Sequence, residues 1–248
     1  MRATTLVCGL GAVAILSCVL SVAPAVADTM GINFASGRGG VLRDMAAAET
    51  AGVIPQASWQ NIHEISNSGT GILNSEGVEL PVGISWSGNY VYDTTNASQT
   101  NDAQLMNGFL DATNEPGYPN LVTVALSNIP YTKYDVYAYV GSNNNGNVGH
   151  ASIQELASST RYFVTNDSPF GGYVEATATT LETAASANYI VWRDLTGSGF
   201  TYTQSGDGTT SCGWHGMQIV NTAVPEPSSI LLLLSGVFGL LYCVWRNR

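Results

Sequence analysis

Two uncharged, mainly apolar runs stand near the ends of this chain, and between them hydrophobic and polar residues alternate in short bursts. Leu6 to Leu20 makes the first run and Ile230 to Trp245 the second. Between them, β-branched and aromatic residues cluster in short stretches set off by Gly, Asn, Asp, Ser and Pro, which is the pattern of an all-β body. It predicts strands at residues 30–34, 78–86, 121–126, 135–140, 161–165, 189–192, 200–203 and 216–220. In the stretch 134–140, Val136, Ala138 and Val140 share one face, and Asp135, Tyr137 and Tyr139 share the other. The first face reads as buried and aliphatic, the second as wet and aromatic. Residues 121–126 are more uniformly apolar and read as a central strand. A helix is predicted where Asn101 or Asp102 can cap a stripe of Leu105, Met106, Phe109 and Leu110. A second short helix is predicted over residues 42–48. The polar run 142–147 reads as a hairpin or binding loop.

The terminal runs divide the chain into three parts. Arg2, the first apolar run and the small residues Ala25 and Ala27 have the form of a signal peptide, with Asp28 as the first mature residue. Cys18, after Ile15-Leu16-Ser17, offers a rival lipidation site. At the other end come Val224-Pro225-Glu226-Pro227, then 18 uncharged residues from Ser228 to Trp245, then Arg246-Asn247-Arg248. As a helix the uncharged stretch is about 27 Å long, just enough for a bilayer core of about 30 Å. The prolines keep that helix from running back into the body, and the arginines favour the cytoplasmic side. This order resembles the PEP-CTERM sorting tail of exported bacterial envelope proteins. The resemblance implies an exosortase as partner, with Pro225, Glu226 and Pro227 as the sorting motif. The expected organisation is a signal peptide at 1–27, handled by signal peptidase, an exported domain at 28–223, and a sorting tail at 224–248 with a membrane span at about 228–245.

Charge and cysteine narrow what the exported part does. Leaving out Glu226, Arg2, Arg246 and Arg248, 17 carboxylates face five basic residues, and Lys133 is the only lysine. Nucleic-acid binding needs clustered positive charge and is excluded. Of four cysteines only Cys212 lies in the exported part, so that part forms no internal disulfide. The thiol is either buried or free for pairing with another chain.

No catalytic signature stands out. His63, His150 and His215 are far apart, and no Gly-x-Ser-x-Gly elbow or phosphate loop occurs. Asp135, beside aromatics on a strand, is the least arbitrary carboxylate for a glycosidase. Residues 143–147 and Gly206-Asp207-Gly208 offer oxygens to calcium without forming a standard calcium loop; no other cofactor is expected. Sugar binding has better material, since tyrosine and tryptophan faces stack on sugar rings while Asn and Asp take the hydroxyls. Trp86, Asn89, Tyr90, Tyr92 and Asp93 fall within one short stretch and form the candidate carbohydrate site, whereas Trp192 reads as core. Residues 31–34, 51–59, the tyrosine-rich strand and 213–220 resemble exported PEP-CTERM proteins with jelly-roll or galactose-binding-like sandwiches. That resemblance implies adhesive or carbohydrate-associated roles and no catalytic set. The expectation is a mainly β protein, a β-sandwich with one or two short helices besides the terminal ones. Its expected place is the cell surface or extracellular matrix, reached as an exosortase substrate. A purely structural protein and a polysaccharide hydrolase are the alternatives.

Overall fold

The computed structural model describes residues 28–94, 100–112, 120–156, 159–207 and 212–223. The expected signal segment, the sorting motif Pro225, Glu226 and Pro227, and the span lie outside the described residues. The described part is mainly β, in two mixed sheets of seven strands each. The first sheet holds β1 (Thr29–Phe34), β2 (Gln60–Ile62), β5 (Tyr90–Asp93), β6 (Gly108–Ala112), β8 (Tyr134–Gly141), β12 (Tyr189–Leu195) and β14 (Cys212–Asn221). The second runs in the order β11 (Ser186–Ala187), β10 (Arg161–Thr165), β9 (Val148–Ile153), β13 (Gly199–Gly206), β7 (Val122–Ser127), β4 (Glu79–Ser87) and β3 (Ser66–Leu73). Ile32, Val136 and Trp214 from the first sheet meet Val82, Val124 and Tyr202 from the second in one apolar cluster.

β14 organises the first sheet. It pairs with β8 along one side, while β1 takes Gly216 to Val220 and β6 takes Cys212 to Trp214 on the other. Nine of its ten residues are buried, because this sheet is covered on both faces. Its outer face carries a second apolar cluster of Met45, Ala51, Trp59, Leu105, Met106 and Tyr139. A strand covered on both sides loses the alternation of buried and open residues, as β1 and β14 do, although both carry polar side chains among the buried ones. The second sheet is different: β4, β7 and β13 alternate between buried and solvent-facing residues.

The covering layer is pinned by buried amides and hydroxyls. Tyr139 donates its hydroxyl hydrogen to Gln218 Oε1 and accepts from Val53 N at 2.9 Å. Gln218 Nε2 donates to Ile54 O and to Gln56 Oε1, each at 2.8 Å. Gly52 has φ +99°, and a side chain there would strike the Gln218 amide, so the turn needs glycine twice over. Burial pushes the Tyr139 hydroxyl well above its ordinary range, which keeps it a donor.

Four local expectations are corrected. The predicted helix is one turn, α1 (Asn101–Leu105), capped by Thr100 rather than Asn101 or Asp102: its Oγ1 accepts from Ala103 N at 3.1 Å. Phe109 and Leu110 belong to β6, where they point to opposite faces. Gly108 passes so close to the Phe34 and Ser36 carbonyls that no Cβ fits, and the chain continues as strand. Residues 42–48 form no helix either. Asn61 holds Met45 through both backbone groups, at 3.0 and 2.9 Å, and keeps the segment extended along β2. Residues 142–147 make no hairpin; they arch from β8 in the first sheet to β9 in the second. Tyr139, expected to be wet, lies under the covering layer with no exposure, while Tyr137 keeps partial exposure.

Candidate functional site

The stretch 86–93 crosses from one sheet to the other, and this separates its residues. Trp86, next to last on β4, lies on the inner face of the second sheet, 7% exposed, with its Nε1 donating to Glu64 O at 2.6 Å. Its ring belongs to the shared core and offers no stacking surface; that part of the expected site is corrected. Asn89 is buried in the turn, and its backbone N donates to Asp111 O at 3.0 Å. Gly88 is required there, because Leu110 fills the space a side chain would take. Tyr90, Tyr92 and Asp93 follow on β5 at the margin of the first sheet. Trp192 lies in the core as expected, 3% exposed, with Nε1 donating to Ser159 O at 2.7 Å.

Two residues apart on a strand, Tyr90 and Tyr92 share the outer face. Their ring centroids are 5.2 Å apart at an interplanar angle of 32°. Tyr90 is 48% exposed. Tyr92 stacks at 5.9 Å on Phe109, its direct partner on β6, and Phe109 meets the His215 ring edge-on at 5.3 Å. His215 sits at a bulge in β14, between Trp214 and Gly216, where the strand changes partner from β6 to β1. The bulge re-aims its ring, so that Nδ1 donates to Gly108 O at 2.9 Å and Nε2 meets Asp167 Oδ2 at 3.0 Å. The Asp167 carboxylate lies over Gly141 and the Phe109 ring over Gly213, which face each other across β8 and β14; a Cβ at either would collide. A column therefore runs from a buried Asp–His pair, through Phe109 and Tyr92, to the open ring of Tyr90.

Two arginines, which the sequence reading did not single out, stand at the outer end. The Arg38 guanidinium lies 5.7 Å from the Tyr92 ring centre, a cation–π distance. Arg43 Nη2 meets Asp93 Oδ2 at 2.9 Å, with both side chains about one-fifth exposed, and Arg38 N donates to Asp93 Oδ1 at 3.4 Å. Basic residues are so scarce in this acidic body that two of its five falling within residues 38–43 was the available signal. The site thus presents one open aromatic face, one arginine without an ion pair among the described residues, and one held carboxylate–guanidinium pair. Stacking on an apolar ring face and hydrogen bonding to hydroxyls are both within its chemistry.

The other candidate groups are engaged elsewhere. Asp135 Oδ1 accepts from Asp194 N at 2.9 Å, beside the Lys133–Asp194 ion pair. In the arch, Asn145 and Ser168 exchange hydrogen bonds at 2.6 and 3.1 Å, and Asn147 Nδ2 donates to Ser142 Oγ at 3.0 Å. The Asn145 amide ties the arch to Ser168, and the Asn147 amide closes the arch on itself. Among the described residues no three His, Cys, Asp or Glu side chains gather as a metal would require. Cys212 is fully buried and unpaired, and burial, together with the carboxylates of Asp111, Asp167 and Asp207, pushes its thiol far up. No protein-family model matches this chain, and no curated protein matches it.

Proposed function

We propose that this chain is an exported, non-enzymatic protein of the cell surface or extracellular matrix, sorted by an exosortase and carrying weak affinity for carbohydrate. The two-sheet body is read here as a β-sandwich of the jelly-roll, galactose-binding-like kind. The sorting reading rests on Pro225-Glu226-Pro227, the uncharged stretch after it and the terminal arginines. The observation that carries the carbohydrate reading is the Tyr90–Tyr92 pair, held rigid from beneath by Phe109 and flanked by Arg38 and the Arg43–Asp93 pair. A preformed aromatic face loses little freedom on binding, which is what a weak polyhydroxyl ligand needs. Tyr90→Ala is expected to abolish retardation in polysaccharide affinity gels while the melting curve stays within about 0.5 kcal/mol of the parent, as for an exposed residue. Unchanged retardation would remove Tyr90 from the reading.

A second reading, a structural surface protein without a ligand, draws on the closure of the same place: Arg38 already covers Tyr92, and Asp93 is already paired. A glycan array with no signal above the Tyr90→Ala background favours it. The sorting reading is tested separately. Replacing Pro225, Glu226 and Pro227 with alanine is expected to leave the protein in the inner membrane, and release like the parent would overturn the assignment.

A further inference from the structure

Among the described residues, every sheet margin is short, charged or covered, except one. β2, β11 and β5 have three, two and four residues. β12 carries Arg193 and Asp194, is bulged between Trp192 and Leu195, and is bordered by residues 174–176, with Ala176 N donating to Tyr189 O at 2.8 Å. These are the usual devices that keep a sheet margin from pairing with another chain. β3 is eight residues long, Ser66-Asn67-Ser68-Gly69-Thr70-Gly71-Ile72-Leu73, with no charge and no proline. It ends the second sheet, pairing with β4 on one side and with no other strand among the described residues. Residues 66–70 are all exposed. The bulge between Thr70 and Ile72 lies beyond them and leaves their ladder regular.

The direction of the free groups can be read from one bond. Ser68 N donates at 2.8 Å to the side chain of Asn67, not to β4. Its N–H therefore points outward, and by the alternation of a strand so do those of Ser66 and Thr70. Another extended strand can take the whole of such a row at once. Around Ser68 the sequence is close to its own mirror: hydroxyl, small polar or glycine, hydroxyl, glycine, hydroxyl. An antiparallel copy centred on Ser68 sets Ser66 against Thr70 and Asn67 against Gly69, with no charge opposed to charge. That matters in a chain of net charge −10, where most other surfaces of two copies repel.

We propose that β3 is a self-association strand, pairing antiparallel with β3 of a second copy about a two-fold axis at Ser68. About six main-chain hydrogen bonds form, two at each of the pairs Ser66–Thr70, Ser68–Ser68 and Thr70–Ser66. The second sheets then merge into one. The row Ser66, Ser87, Thr123 and Thr203, aligned across β3, β4, β7 and β13, continues into the second copy. The Asn67 amide occupies the Ser68 N–H in the single copy and gives way on pairing.

The test needs no ligand: sedimentation of the purified full chain in detergent is followed by analytical ultracentrifugation across a concentration series. Self-association is expected, weakened at least about tenfold by Ser68→Pro, which deletes the outward N–H without touching a bond to β4. Thr70→Lys, which places like charge on the margin, is expected to act the same way should the proline variant fail to fold. Asn67→Ala, which frees the Ser68 N–H, is expected to tighten association. A parent chain that stays monomeric throughout overturns the proposal, and so does association unchanged in folded Ser68→Pro or Thr70→Lys.

Discussion

The two sheets share one core but treat their outer faces in opposite ways. On the first sheet a second apolar cluster and a chain of buried amides cover the strands, and the long central strand is closed to solvent on both sides. On the second sheet small residues face solvent: Ser85 and Ser87 on β4, Thr123 and Ala125 on β7, Thr201 and Thr203 on β13. Two open hollows, of about 430 and 420 Å³, lie along that surface. The covered sheet holds the aromatic column and the buried Asp167–His215 hydrogen bond, so its geometry is fixed by packing. The bare sheet is held from one side alone and keeps its main-chain groups within reach at its margin. Rigidity and availability have been assigned to different layers.

Substitutions on one strand test this division most strongly. Trp86→Ala is expected to cost about 3–5 kcal/mol, as a large core side chain does. Ser85→Ala, one residue away on the bare face, is expected to change stability by no more than about 0.5 kcal/mol. Urea denaturation of the two variants measures both, and similar losses would mean that the outer face is not bare. On the covered sheet, Tyr139→Phe leaves Val53 N without its acceptor and is expected to cost about 1–3 kcal/mol. A loss near zero there would show the covering layer to be loosely attached.

Cys212→Ser sets a hydroxyl in the buried place of the thiol, also at about 1–3 kcal/mol. In the folded parent the thiol is expected to resist alkylating reagents until denaturant is added. The smallest effect concerns pH. Burial lowers the His150 pKa below 6.5, so the unfolded chain takes up this proton more readily than the folded one. Stability is therefore expected to fall as pH drops below about 6.5 and to level off once the native ring also titrates. His150→Gln removes that part of the slope in a stability–pH series; an unaltered slope would place the effect elsewhere.

Legibility in the sequence follows the same division. Where one face is wet, as in β4 and β13, alternation marks the strand; residues 121–126 were legible instead from their apolar run, and residues 161–165 coincide with β10. β3 went unread because Ser, Asn and Gly are the residues of turns, and nothing local says that β4 will recruit them. The stripe Leu105, Met106, Phe109 and Leu110 fits a helix as well as a turn followed by a strand; the close passage at Gly108 decides it, and that contact with Phe34 and Ser36 is long-range. Trp86 and Tyr90 looked like neighbours in one site because they are four residues apart, yet the turn between them carries the chain from the second sheet to the first. The Asp167–His215 pair joins residues 48 apart in sequence and left no local mark at all.

The path of β14 has a mechanical consequence. Its first residues lie in the row Tyr90, Asp111 and Gly213, and its last, Asn221, leads to Ala223 and the segment that follows. On the proposed reading, in which Tyr90 holds a polymer and the tail anchors the chain, a load between the two acts along this one strand, from end to end. Ladders on both of its sides then resist together in shear, rather than opening bond by bond as a peeled outer strand does. Under tension the body is expected to yield at its strongest seam, so that the grip at Tyr90 lets go before the fold does.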